Sequence, residues 1–293
     1  MKKNKWKQLF NWGGLGIGVV GVVFVVRKLT EYSSQIDFTG FSISSLLSLF
    51  GLLTAYCFSN VLLALAWRDI LKYLGVNIKK KWAIHTYGIS QIGKYVPGNI
   101  FHFAGRQAIG QAAGLPALPL AKSAVWEIGV IAATGSLFSL LLLPLFFEKA
   151  TYPLSLILYL VVVVSIGLSV HHWVGASVAS AVKWYFLFLT LSGIIFYRIL
   201  MIATVGQPVT GGMAIGITGV YVIAWLAGLL TPGAPAGIGV REMVFLAILH
   251  GIINEGELIK AIVLGRFVTV GGDVFFYIFS MISRYIRVKT ERY

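Results

Sequence analysis

A single cysteine, Cys57, stands in this chain, so no internal disulfide and no cysteine-rich metal site is available to it. Cys57 sits in an apolar segment and reads as a small core or lipid-facing residue. The histidines are equally unhelpful as ligands. His171 and His172 are adjacent in a loop, and His85, His102 and His250 lack the His-x-x-x-His spacing that would place two rings on one helical face. No metal site and no cofactor is expected. Acidic residues number 10 against 24 Lys and Arg, and neither an Asp-x-Asp motif, a carboxylate pair nor a nucleophile–base arrangement occurs. An ATP-binding loop is also missing. What is scarcest is polar sequence of any length: no soluble domain, linker or low-complexity tract interrupts the chain. The net charge of +14 does not point to nucleic acid, because the cations lie mostly in short loops and tails without interleaved stacking aromatics.

What fills the chain instead is hydrocarbon. Of 293 residues, 58% are hydrophobic and 12% charged, and the mean hydropathy is +0.85. A soluble domain of this size could not cover that surface, so the chain is expected to be an all-α polytopic membrane bundle, a single domain over 1–293. The first apolar run has no cleavage site followed by a soluble mature domain, so it is not read as a signal peptide. Apolar runs long enough to cross about 30 Å of hydrocarbon fall near 12–27, 43–66, 121–146, 153–170, 184–204, 212–231, 238–253 and 258–282. Between the second and third lies 82–110, two half-length pieces that neither cross alone; the pair reads as a re-entrant helical hairpin. The expectation is therefore about eight transmembrane helices plus one hairpin.

Loop charge sets orientation. Lys2, Lys3, Lys5 and Lys7 place the N-terminus in the cytoplasm, and Arg68, Lys72, Lys79, Lys80 and Lys81 mark the same side after the second span. Glu148, Glu255 and Glu257 then fall outside and Lys183 inside. The tail with Arg284, Arg287, Lys289 and Arg292 returns to the cytoplasm. Gly14-x-x-x-Gly18 and Gly51-x-x-x-Ala55 read as close-packing seams. Trp6, Trp12, Trp67 and Trp82 near span ends read as interfacial anchors.

Two segments break the apolar sequence in similar ways: Gly93-Lys94-Tyr95-Val96-Pro97-Gly98, and the stretch 231–242 containing Pro235-Ala236-Gly237-Ile238-Gly239-Val240-Arg241-Glu242. Broken backbone at membrane depth survives only where protein or a watered cavity satisfies its amides and carbonyls, and a pair of such breaks points to a transporter's binding site. Lys94 precedes the first break, and His102 and Arg106 share a helical face beyond it. These cations either receive an anion such as a lipid phosphate at the hairpin tip or snorkel to the interface. Gly237 and Gly239 allow close approach of a backbone or ligand before Arg241 and Glu242. In the last span Arg266, Thr269, Asp273 and Tyr277 form one polar stripe, with Arg266 and Asp273 about 10 Å apart along the axis, too far to bond directly. Asp273 reads as an ion-pair partner or a proton-coupling carboxylate. Glu127 is expected to pair with Lys94, Arg106 or Arg241. Arg198 reads as a snorkelling cation.

The string from Gly93 to Asn99, with Gly105-Arg106 after it, resembles the Gly-Lys-Tyr-aliphatic-Pro-Gly…Gly-Arg signature of the lysylphosphatidylglycerol synthase transmembrane region, a flippase-like family. Pro235 to Glu242 is similar to that family's second signature, Pro-Gly-Gly-aliphatic-Gly-x-x-Glu, with Ala236 where Gly is usual; Asn99 stands where Lys is common. The resemblance covers essentially the whole chain and implies a helical bundle that moves lipids or lipid-linked head groups between leaflets. The aminoacyl-transferase domain of bifunctional members is missing, so aminoacyl-lipid synthesis is not implied. The two motifs and the charged residues together make a candidate site of Lys94, Pro97, Gly98, His102, Arg106, Gly237, Gly239, Arg241 and Glu242, with Glu127, Arg266 and Asp273 as intramembrane charges. The implied partners are a membrane phospholipid or polyprenyl-linked lipid, and a lipid synthase. The implied setting is the cytoplasmic membrane, with net pumping requiring a proton or potential link. Two other readings stand beside it: an integral-membrane transferase on a lipid-linked donor, and a non-transporting partner of envelope-lipid enzymes.

Overall fold

The computed structural model describes Arg27 and residues 42–96, 100–204, 211–231 and 233–290, the last eight by backbone alone. The expected span at 12–27 (Arg27 apart), the Gly14/Gly18 seam, Trp6, Trp12, and the tip residues Pro97, Gly98 and Asn99 lie outside the described residues.

The described chain is helical: α1 (Ile43–Tyr73), α2 (Lys80–Gln91), α3 (Phe101–Ala112), α4 (Ala117–Ser136, continued by a tight turn and a last helical turn to Phe146), α5 (Tyr152–Trp173), α6 (Ala176–Ala203), α7 (Gly211–Leu230), α8 (Val240–Leu249) and α9 (Glu255–Thr290). Six of these, α1, α4, α5, α6, α7 and α9, are long and apolar enough to cross a membrane, and each falls on an expected span. The chain is a multi-pass helical membrane protein. One expected crossing is corrected. The apolar run 238–253 forms α8, which is ten residues long and so about 15 Å, half the hydrocarbon thickness. Gly239 before it and Gly251 after it take left-handed backbone conformations, and these end the helix inside a run that hydropathy alone reads as continuous.

α1 and α6 form the antiparallel centre of the bundle. Tyr56 lies against Phe188, and further along Asp69 accepts hydrogen bonds from Ser180 and Trp184. α9 crosses α1 closely: a Cβ on Gly271 or Gly272 would lie 2.6 Å from Leu53 and 2.8 Å from Tyr56. Small residues at such seams let backbones approach where no hydrophobic effect drives helices together. The seam expected at Gly51 is not used inside the bundle, since its Cβ direction meets open space. Trp67 is likewise no interfacial anchor; it is buried at 1% exposure, stacked on Trp82. α5 lies at the periphery with Leu154, Ile157, Val161, Val164 and Leu168 turned outward, a lipid-facing stripe.

Two hairpins complete the fold. α2 runs antiparallel to α9, from the His85 Nδ1–Ser280 carbonyl hydrogen bond past Gly88, packed on Phe276 and Ser280, to Tyr95 at Asp273. A tight turn, Ile92–Tyr95, ends it, and α3 returns alongside; Gly93 abuts the backbone of Phe101 and His102. Each arm has 12 residues, about 18 Å, too short to cross. The second hairpin is α7–α8. α7 packs antiparallel to α6, Trp225 against Phe188 and Gly193 against Thr218. The chain then breaks at Gly233 and Pro235–Gly237, and α8 folds back so that Phe245 meets Tyr221. The first hairpin begins at the Tyr73 end of α1 and the second at the Ala203 end of α6. Because α1 and α6 are antiparallel, the hairpins enter from opposite ends of the bundle. Their tips touch: Ile92 and Tyr95 of the first cluster with Ala236 of the second and Val270 of α9.

Candidate functional site

Buried charge surrounds the meeting point of the tips. Asp273, fully buried, accepts Lys94 Nζ at 2.7 Å and the Tyr95 hydroxyl at 2.5 Å on Oδ2. Asn60, near the middle of α1, donates to its Oδ1 at 3.1 Å. The tip of one hairpin is thus fastened to the middle of α9 by its Lys-Tyr dipeptide. Short, charge-assisted contacts of this kind are what allow a charge to remain at membrane depth.

A second pair lies on the α3 arm. Arg106 donates to Glu127 of α4 at 2.6 Å, and Tyr87 donates to the other carboxylate oxygen at 2.9 Å. The guanidinium lies over the rings of Tyr87, Phe103 and Trp67 at 4.3, 5.0 and 5.5 Å, cation–π contacts that strengthen where water is excluded. At 2% exposure, Arg106 does not snorkel.

The third pair joins the other break. Arg266 Nε donates to Glu242 at 2.7 Å, and its terminal nitrogens donate to the carbonyls of Ala236 and Gly237 at 3.1 and 3.0 Å. Glu242 also accepts from the Gly239 amide at 2.8 Å, capping α8 at its N-terminus as a carboxylate there should. The unwound backbone is thereby satisfied by one side chain from α9 and one from α8, the condition that broken backbone at membrane depth must meet.

Of the expected site residues, Lys94, His102, Arg106, Glu127, Gly237, Gly239, Arg241, Glu242, Arg266 and Asp273 all gather at the two breaks and the helices beside them. Arg266 and Asp273, placed on one stripe and too far apart to bond, indeed have different partners. Glu127 takes Arg106 among its expected cations. Gly237, at φ +70°, lies so near Gly228 that a Cβ would come within 2.6 Å of the Gly228 Cα. Asn60, Tyr87, Trp225 and Gly228 also belong to this region and are not among the residues the sequence singles out. Asn60 carried a signal, an amide in the middle of an apolar run. The other three look like ordinary residues of membrane helices and acquire meaning only from their neighbours.

Between the hairpins is a cavity of about 40 Å³ lined by Gln91, Lys94, His102, Glu127, Trp225, Gly228 and Arg241, among others. That holds a few water molecules and no whole head group. Two lining side chains are left wanting: His102 Nδ1 and Arg241 Nε are buried with no hydrogen-bond partner. No three His, Cys, Asp or Glu residues converge as metal ligands among the described residues. No protein-family model matches the chain, and no curated protein matches it significantly.

Proposed function

We propose that the chain is a lipid translocator of the cytoplasmic membrane, akin to the flippase-like family whose two signatures it resembles. One observation carries the reading: two helical hairpins, inserted from opposite ends of the bundle, meet tip to tip around buried charges and a small polar cavity. Discontinuous helices converging in the interior are how membrane transporters build sites for charged groups. In this topology α2–α3 re-enters from the cytoplasmic face and α7–α8 forms a second hairpin opening to the other face, with both termini cytoplasmic. A lipid head group passes between the tips while its acyl chains stay in the bilayer. The cavity is too small for a head group in this state, which corresponds to a closed intermediate between two openings.

Arg106→Ala is a poor test of this path, because it strands Glu127 as a buried, unpaired carboxylate, and breaking such pairs costs about 3–5 kcal/mol. His102 lines the cavity, and its Nδ1 bonds to nothing, so His102→Leu removes polarity from the path without stranding a partner. Purified protein is reconstituted in liposomes holding head-group-labelled phospholipids, including an aminoacylated one, and the label's exposure to an impermeant quencher is followed. Wild type is expected to equilibrate the label and His102→Leu to do so at least tenfold more slowly. No movement of any lipid by wild type overturns the translocator reading; equal rates in the two proteins remove the cavity from the path.

A further inference from the structure

Asp273 cannot keep its partners if the hairpin tips part. A head group can pass between the tips only when they separate, because the cavity there holds no more than a few waters. Lys94 and Tyr95 belong to the tip and leave with it, while Asp273 stays on α9. The carboxylate, fully buried, then loses its counter-ion at 2.7 Å and its phenol donor together. An unpaired carboxylate in the interior is a state that proteins avoid by neutralising it. Two other cations act on this cluster, and both are held elsewhere. Arg266 is bound to Glu242 and to two backbone carbonyls, and Arg241 lies over the Trp225 ring on the other hairpin. Tyr56 and Cys57 of α1, Tyr87 of α2 and Tyr221 of α7 also face Asp273 electrostatically, and phenols and thiols are neutral at neutral pH.

We infer that Asp273 exchanges Lys94 for a proton each time the tip leaves it, so that head-group movement is coupled to proton movement. The coupling rests on the translocator reading; the proton site itself does not. Asn60 is the independent observation. It is fully buried in the middle of α1, and its Nδ2 donates to Asp273 Oδ1 at 3.1 Å, yet its own Oδ1 is buried without a hydrogen-bond partner. An amide beside a carboxyl group can serve both protonation states: its NH2 donates to the carboxylate, and its oxygen, turned over, accepts from the acid's O–H. The orphaned oxygen is the half of Asn60 that the ion-paired state leaves idle. A proton also has a way in. Lys94 lines the polar cavity and its side chain is 15% exposed, so departure of the ammonium opens Asp273 to the waters there. One proton from water binds a carboxylate oxygen, Lys94 keeps its own protons, and the bound proton returns to water when the ammonium comes back. Taken up toward one face and released toward the other, that proton carries the energy of a pH gradient into the bundle.

Lys94→Met takes the ammonium from Asp273 as parting of the tips would, with no lipid movement required. Infrared difference spectroscopy of the purified full chain at neutral pH is expected to show a protonated-carboxyl carbonyl band in Lys94→Met. The band should be absent from wild type and from the double variant Lys94→Met, Asp273→Asn. Lys94→Gln serves the same comparison if methionine prevents folding. No such band overturns the inference, since another cation has then taken the ammonium's place. In liposomes holding labelled phospholipid, an imposed pH difference is expected to drive the label past equal distribution between leaflets with wild type. The double variant and Asn60→Leu, which offers the acid no acceptor, are each expected to show at least tenfold less accumulation relative to their own rates of equilibration at equal pH. A merely structural Asn60 would slow both processes together and leave that ratio unchanged. Equilibration by wild type with no accumulation under the gradient overturns the coupling. Failure of wild type to move any lipid overturns the translocator instead, and the infrared band in Lys94→Met then leaves Asp273 standing as a proton site.

Discussion

Asp273 shows what a single residue must do to stay charged inside a membrane bundle. Lys94, Tyr95 and Asn60 all point donors at its two oxygens. Asp273→Asn leaves the Lys94 ammonium without its counter-ion, and removing one partner of a buried pair costs about 3–5 kcal/mol. The double variant Lys94→Met, Asp273→Asn removes both charges. It is expected to unfold at a higher temperature in detergent than Asp273→Asn alone, because the two changes are coupled through one contact. A double variant no more stable than the single one would show that the ion pair does not hold the hairpin in place. The need for such a partner was legible from sequence, since an ionisable residue in an apolar run is costly unless paired. The partner's identity was not. Along α9 only Arg266, Thr269 and Tyr277 are near Asp273 in sequence, and the cation that binds it comes from a hairpin 179 positions earlier in the chain.

At the scale of elements, the second break is shaped by backbone conformation more than by hydropathy. Ala236 is the one described non-glycine residue with a left-handed backbone, φ +48° and ψ +24°, a region that costs an L side chain roughly 1–2 kcal/mol. Ala236 occupies the position where the resembled signature has Gly. Ala236→Gly is expected to raise Tm slightly, strain relief being partly offset by the roughly 0.5–1 kcal/mol entropic cost of glycine. Gly237→Ala is expected to lower Tm sharply, because its Cβ would lie 2.6 Å from the Gly228 Cα and backbone cannot step aside as a side chain can. If Gly237→Ala unfolds like wild type, α7 and α8 do not pack as closely as described. The Pro and Gly residues announced this break in the sequence, but not its consequence for α8. Hydropathy counts apolar residues and is blind to where the helix stops, so the run 238–253 has the hydropathy of a crossing while its ten-residue helix covers only half that distance.

For the whole molecule, the apolar runs point to a multi-pass helical bundle, and six of them form helices long and apolar enough to cross a membrane. The meeting of the two hairpins had no sequence signal beyond the similarity of their breaks, since it is made by contacts between segments some 140 positions apart. The arrangement makes a sharp demand on topology. If α2–α3 re-enters, the residue before α2 and the residue after α3 lie on one face of the membrane; if the pair crosses, they lie on opposite faces. Lys79 and Ala113 flank the hairpin and are exposed, as are Glu148 and Glu255 in the loops assigned to the outside. Single cysteines at these four positions can be placed in a Cys57→Ala background, the native thiol being buried and the change small. In intact cells, a membrane-impermeant maleimide is expected to label Glu148→Cys and Glu255→Cys, and to label Lys79→Cys and Ala113→Cys only after permeabilisation. Outside labelling of Ala113→Cys with Lys79→Cys protected would make α2–α3 a crossing. The two breaks would then no longer enter from opposite faces, and the shared tip-to-tip site, with the transport reading built on it, would fall.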